Sequence, residues 1–109
     1  MESILVSIKK LIGLTEEYTQ FDTDIITHIN TVFAILHQLG VGPANGFVIR
    51  DKSTCWCEYT GDEVFLESVK SYIYLKVKLI FDPPQSSAHI ETIKQEIVEL
   101  EWRLNVYAD

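Results

Sequence analysis

Residues 60–106, TGDEVFLESVKSYIYLKVKLIFDPPQSSAHIETIKQEIVELEWRLNV, decide the fold. Thr60 and Glu63 have the spacing of a capping box, which predicts a helix from there to Phe81 or Asp82. Leu66, Val69, Ile73, Val77 and Ile80 mark one apolar stripe along it; Phe65, Tyr72, Leu75 and Leu79, joined by Tyr74 and Phe81, mark a second. A surface helix of a monomer needs one stripe. Two predict a central helix, or one covered partly by another subunit. Pro83-Pro84 forces a stop, and Ser86 or Ser87 can cap a further helix running to about Val106. Its apolar positions, Ile90, Ile93, Ile97, Leu100 and Leu104, recur at steps of three and four, and Glu99 and Arg103 are spaced for an exposed ion pair. So short a connection favours an antiparallel hairpin on which the rest of the chain packs.

Upstream, the spacing predicts two more helices. The first runs from Glu2 to Ile12, with Ile4, Leu5, Ile8, Leu11 and Ile12 on one face, Lys9 and Lys10 near its end, and Gly13 as a left-handed cap. The second starts at Asp22 as N-cap, with Phe21 and Ile26 placed for a hydrophobic staple. Ile25, Ile29, Val32, Leu36 and Leu39 follow, and Gly40 ends it. Between Val41 and Tyr59 the pattern breaks at Gly42, Pro43, Asn45 and Gly46. Phe47-Val48-Ile49 and Cys55-Trp56-Cys57 flank a polar turn region there, so a small β-hairpin and a projecting loop both fit. The fold class expected is all-α: one domain over 1–109, four helices and a central antiparallel hairpin.

Composition narrows the function. With 47% hydrophobic and 23% charged residues the chain has the material for a core. No apolar run is long enough to span a bilayer, so no membrane role is expected. Met1-Glu2-Ser3 lacks the cationic start of a signal peptide, which points to synthesis and retention in the cytoplasm. A net charge of -7 opposes general affinity for phosphate backbones. Lys70, Lys76 and Lys78, the nearest thing to a basic cluster, do not share one helical face.

No constellation supports catalysis. Cys55-x-Cys57 is the one metal-like spacing, but a structural zinc site needs four ligands, and His28, His37 and His89 form no paired motif. The reading that fits best is two half-buried cysteines flanking an anchoring tryptophan, reduced as in a reducing compartment. A thiol enzyme would need a base and an oxyanion site for which there is no local signature. The acids Glu16, Glu17, Asp22, Asp24, Glu96, Glu99 and Glu101 fall at helix starts or polar positions, where capping and solvation explain them. Gly40-Val41-Gly42 lacks the lysine and the strand-to-helix context of a phosphate loop. Neither a cofactor nor a metal is expected.

Apolar surface is the remaining clue. Four short helices do not readily enclose both stripes of helix three, a loop tryptophan and the aromatics near the end. Phe47, Trp56, Tyr59, Tyr72, Tyr74, Trp102 and Tyr107 are therefore the candidate contact residues of a protein interface, with ordinary core packing as the alternative.

Several segments together resemble the small head–tail connector (adaptor, or head-completion) proteins of tailed bacteriophages and prophages. They are Phe21-Asp22-x-Asp24-Ile25, Gln38-Leu39-Gly40-Val41-Gly42, Trp56, Val69-Lys70-Ser71-Tyr72-Ile73-Tyr74-Leu75-Lys76, Phe81-Asp82-Pro83-Pro84 with Ser86-Ser87, and Glu99-Leu100-Glu101-Trp102-Arg103-Leu104. Their order and spacing span nearly the whole chain; Cys57 lies outside the pattern. The resemblance implies a structural subunit without enzymatic activity. It would sit in the virion neck, in a ring, usually dodecameric, beneath the portal protein, and dock the next neck or tail completion protein. Genomic DNA would pass through the channel without specific binding, and an acidic lining would suit that passage. A small helical regulator or antitoxin-like module acting on one protein partner is the alternative.

Overall fold

The computed structural model describes residues 2–108, and four α-helices account for most of them. Helix α1 spans Ile4–Leu11, α2 Asp22–Gln38, α3 Glu63–Phe81 and α4 Ser87–Ala108. The all-α expectation holds. Helix α3 is central and packs against each of the others. Most of its two apolar stripes serves this one chain: Phe65, Val69, Tyr72, Ile73, Leu75 and Val77 are buried, while Ile80 near its end is exposed. Helix α4 returns antiparallel after Pro83-Pro84. The Tyr72 hydroxyl donates to Glu101 Oε2 at 2.6 Å, and the open end of the hairpin closes where Phe65 stacks on Tyr107, centroids 4.5 Å apart. Ser86 caps α4 by accepting from the His89 amide, and Glu99 pairs with Arg103 at 2.6 Å, both as the spacing predicts.

Two helix starts differ from expectation. Asp22 is the first residue of α2 and not its N-cap, which is Phe21 without a side-chain cap bond. The Asp22 carboxylate instead meets Lys9 Nζ at 2.8 Å, and that ammonium, 1% exposed, also donates to the Glu16 carbonyl. A buried ammonium requires a counter-charge, and this demand outweighs a cap that water could replace. The Phe21 ring packs edge-on against Phe81 at 5.2 Å, tying the start of α2 to the end of α3. Helix α3 is capped by Asp62, whose Oδ1 accepts from the Phe65 amide, while Thr60 accepts from the Asp62 amide. The Thr60–Glu63 box is displaced by two residues because a stronger acceptor stands closer to the helix.

The connection between α2 and α3 is neither a hairpin nor a projection. No strand pairing occurs inside it among the described residues. It folds back over α1 and α2, and its apolar side chains Val41, Ile49, Trp56 and Tyr59 enter the core. Asn30 on α2 holds it at one point, accepting from the Ile49 amide at 2.8 Å and donating to the Ile49 carbonyl at 2.9 Å. Residues 54–56 pair with the chain start: the Ile4 amide donates to the Thr54 carbonyl and the Trp56 amide to the Glu2 carbonyl. A 3-10 turn over Trp56–Glu58 follows. It brings Cys55 and Cys57 to a Cα separation of 5.3 Å, where their sulfurs are bonded as a disulfide, so the expectation of two free thiols does not hold.

Candidate protein–protein interface

The seven aromatic residues singled out by sequence divide sharply. Trp56, Tyr59 and Tyr72 are buried within the chain itself. The Trp56 indole N–H donates to Ser7 Oγ at 2.8 Å, and Phe33 on α2 gathers Trp56, Tyr59 and Phe47 into one aromatic cluster, with Phe47 half-buried. These four residues are core-facing in the isolated chain. The reason is the folded-back loop: nineteen residues that sequence leaves as a projection instead cover the otherwise open side of α1 and α2. Tyr74 is half-buried on a groove of about 400 Å³ beside Leu11, Lys10 and Lys70. Trp102 and Tyr107 are exposed, at 67% and 57%, though Tyr107 is held by its stacking on Phe65 and by a hydrogen bond from its hydroxyl to Asp62.

Trp102 does not stand alone. Ile93, Ile97 and Leu104 carry one side of α4 into the core, and on the opposite side Val98 and Val106 lie one helical turn either side of Trp102. Val98 is 64% exposed and Val106 51%, so the three side chains form an apolar stripe open to water, flanked by the Glu99–Arg103 pair. Positions i, i+4 and i+8 share a face of a helix. An open apolar stripe thus lies on α4, whereas most of α3, two-sided in sequence, is covered from within, with Val64 and Ile80 at its two ends exposed. Val98 and Val106 are exposed apolar neighbours of Trp102 that sequence reasoning passed over. Their spacing from Trp102 was a sufficient signal, but the longer stripe of isoleucines and leucines on the other face dominates the pattern.

No group of three or more His, Cys, Asp or Glu side chains among the described residues could hold a metal ion. Where ionisation is perturbed, the cause is local packing. Burial pushes the Tyr59 hydroxyl up to about 12. Burial first, and then the bond to Glu101, raises Tyr72 further. The hydrogen bond from Tyr107, with the Phe65 amide behind it, holds Asp62 below the usual carboxylate range. The same bond, ahead of burial, raises the Tyr107 hydroxyl, and Tyr107 shares the lining of one cavity with Tyr59. No helix among the described residues is long and apolar enough to cross a membrane.

What the surface offers is an apolar helix face on a flat body, 35 × 35 × 20 Å in its principal extents. The family model described as "Phage connector protein" matches residues 4–109. No curated protein and no solved structure matches the chain. The match takes in all four helices and the folded-back loop, and the chain belongs to the phage connector protein family, the head–tail connectors that its sequence resembles.

Proposed function

We propose that the whole chain acts as one adaptor unit and joins a ring, usually dodecameric in connectors of this kind, beneath the portal protein at the virion neck. In that position it extends the DNA channel and docks the next neck or tail completion protein. Its role is structural, with no catalysis and no cofactor. The observation that supports this reading is the open stripe Val98–Trp102–Val106, opposite the core face of α4. A cyclic ring joins unlike faces of neighbouring subunits, so each subunit needs at least one apolar face that its own fold leaves uncovered. A large aromatic flanked by branched aliphatic side chains is suitable material for the centre of such a contact. The net charge of -7 suits a channel through which DNA slides without phosphate pairing.

Light scattering on the chain mixed with purified portal tests the assignment. The complex should gain the mass of one ring per portal. Trp102→Glu should abolish that gain while the helical circular dichroism stays unchanged, because Trp102 is not part of the core. A chain that ignores the portal, or a Trp102→Glu variant that assembles as well as its parent, would refute the reading.

A further inference from the structure

A cavity of about 310 Å³ opens where the C-terminal ends of α2 and α4 meet the start of α3, walled chiefly by Gly40, Gly42, Tyr59, Phe65, Tyr107 and Ala108. Three properties of its walls converge on one kind of guest. The first is charge. Helix α2 ends at Gln38, so the partially negative end of its dipole points towards it. Several carbonyls there are already taken, the Leu39 oxygen by the Asn105 side chain. The Asp62 carboxylate, bonded to Tyr107, adds a full negative charge at the rim.

The second property is aromatic area. Phe65 and Tyr107 are stacked with their planes 18° apart, and the outer ring is half in water. The third is an unmet hydrogen bond. Tyr59 is only 6% exposed, and its hydroxyl has no hydrogen-bond partner among the described residues. It lies beneath Gly42, so closely that a Cβ at that position would come within 2.6 Å of the phenolic oxygen. Gly42 has φ +97°, and bare backbone is all that roofs the hydroxyl on that side. A buried polar group left unpaired is costly, and in native folds it marks a place where a partner is missing.

We propose that this cavity receives an arginine side chain from a partner protein. Its guanidinium would lie against the Phe65–Tyr107 pair, face the Asp62 carboxylate at the rim, and donate to the Tyr59 hydroxyl once the Gly42 backbone shifts aside. A guanidinium supplies positive charge, several N–H donors and a plane that stacks on aromatic rings, which are the three things the walls lack. The inference does not require ring assembly: Tyr107 and Ala108 line the cavity from a different side of α4 than the Val98–Trp102–Val106 stripe, and the binding is read on the free chain.

The test is a titration of the intact chain with acetyl-Gly-Arg-Gly-amide, followed by amide chemical shifts. Saturable shifts should centre on Gly42, Thr60, Phe65 and Ala108. The citrulline peptide, which has the same shape without the charge, should bind about ten-fold more weakly or worse. Tyr59→Phe should keep the fold, with an unchanged or higher Tm because the orphan hydroxyl is gone, yet bind the arginine peptide about three-fold more weakly or worse. Equal affinity for citrulline, unchanged binding by Tyr59→Phe, or shifts scattered over the acidic surface would each overturn the proposal.

Discussion

Trp56 shows how a single side chain can be read two ways from the same letters. A tryptophan between two cysteines in an irregular segment suits a projecting anchor, but the structure turns it inward, 3% exposed, against Phe33 and the Ser7 hydroxyl. The decisive partner lies forty-nine positions away in sequence. Trp56→Ala should therefore cost about 3–5 kcal/mol of stability, measured by urea unfolding, since it removes a large buried ring and the indole donor to Ser7, whose hydroxyl keeps its bond to the Ile4 carbonyl. A variant as stable as its parent that fails only in assembly would return Trp56 to a surface role. The Lys9–Asp22 pair was illegible for the same reason. Asp22 is a good cap by its own residue type, and nothing in its neighbourhood shows that an ammonium thirteen positions earlier would be buried and in need of it.

At the scale of elements, the helices were legible because their signals are local: capping side chains, glycines at positive φ and the Pro83-Pro84 corner. Gly13 and Gly40 do take positive φ, at 92° and 85°, where the first two helices end. Loop 41–62 was not legible, because its shape depends on side chains of α1 and α2 that attract it over long separations. Asn30 is the clearest of these, holding both polar groups of Ile49. Asn30→Ala should leave that amide and carbonyl unpaired in a mostly buried setting and cost about 2–3 kcal/mol. Hydrogen exchange should show the Ile49 amide losing its protection first; protection retained there would mean the loop is held chiefly by its apolar side chains. The candidate interface lies between these cases. Trp102 was identified from sequence, and its companions Val98 and Val106 were visible in the spacing. Assigning the spare apolar face to α3 hid them, since only the folded structure shows that most of α3 is enclosed by the other helices and that α4 keeps an open stripe.

For the whole molecule, the buried tyrosines tie stability to alkaline pH. Tyr59, with its hydroxyl pushed up to about 12, and Tyr72 both hold their protons in the fold, whereas an unfolded tyrosine releases its proton near pH 10. Their contribution is thus fully present below about pH 10 and is lost as pH rises towards 12, because the unfolded chain ionises first. Unfolding free energies from urea titrations between pH 9 and pH 12 should fall, by up to about 1.4 kcal/mol per pH unit for each such tyrosine. Tyr59→Phe should flatten that decline; curves that run parallel for parent and variant would show that Tyr59 has no part in it.

The uncovered stripe of α4 also bears on how the free chain behaves as a colloid. Three apolar side chains in water attract their like only at contact, whereas a net charge of -7 repels other copies at a distance. That repulsion reaches about 8 Å at physiological ionic strength and shrinks as salt is added. The balance is therefore set by the medium: dilute counter-ions keep copies dispersed, and concentrated ones let the stripes meet. A crowded, ion-rich interior favours adhesion between the same molecules that a dilute extract would hold apart.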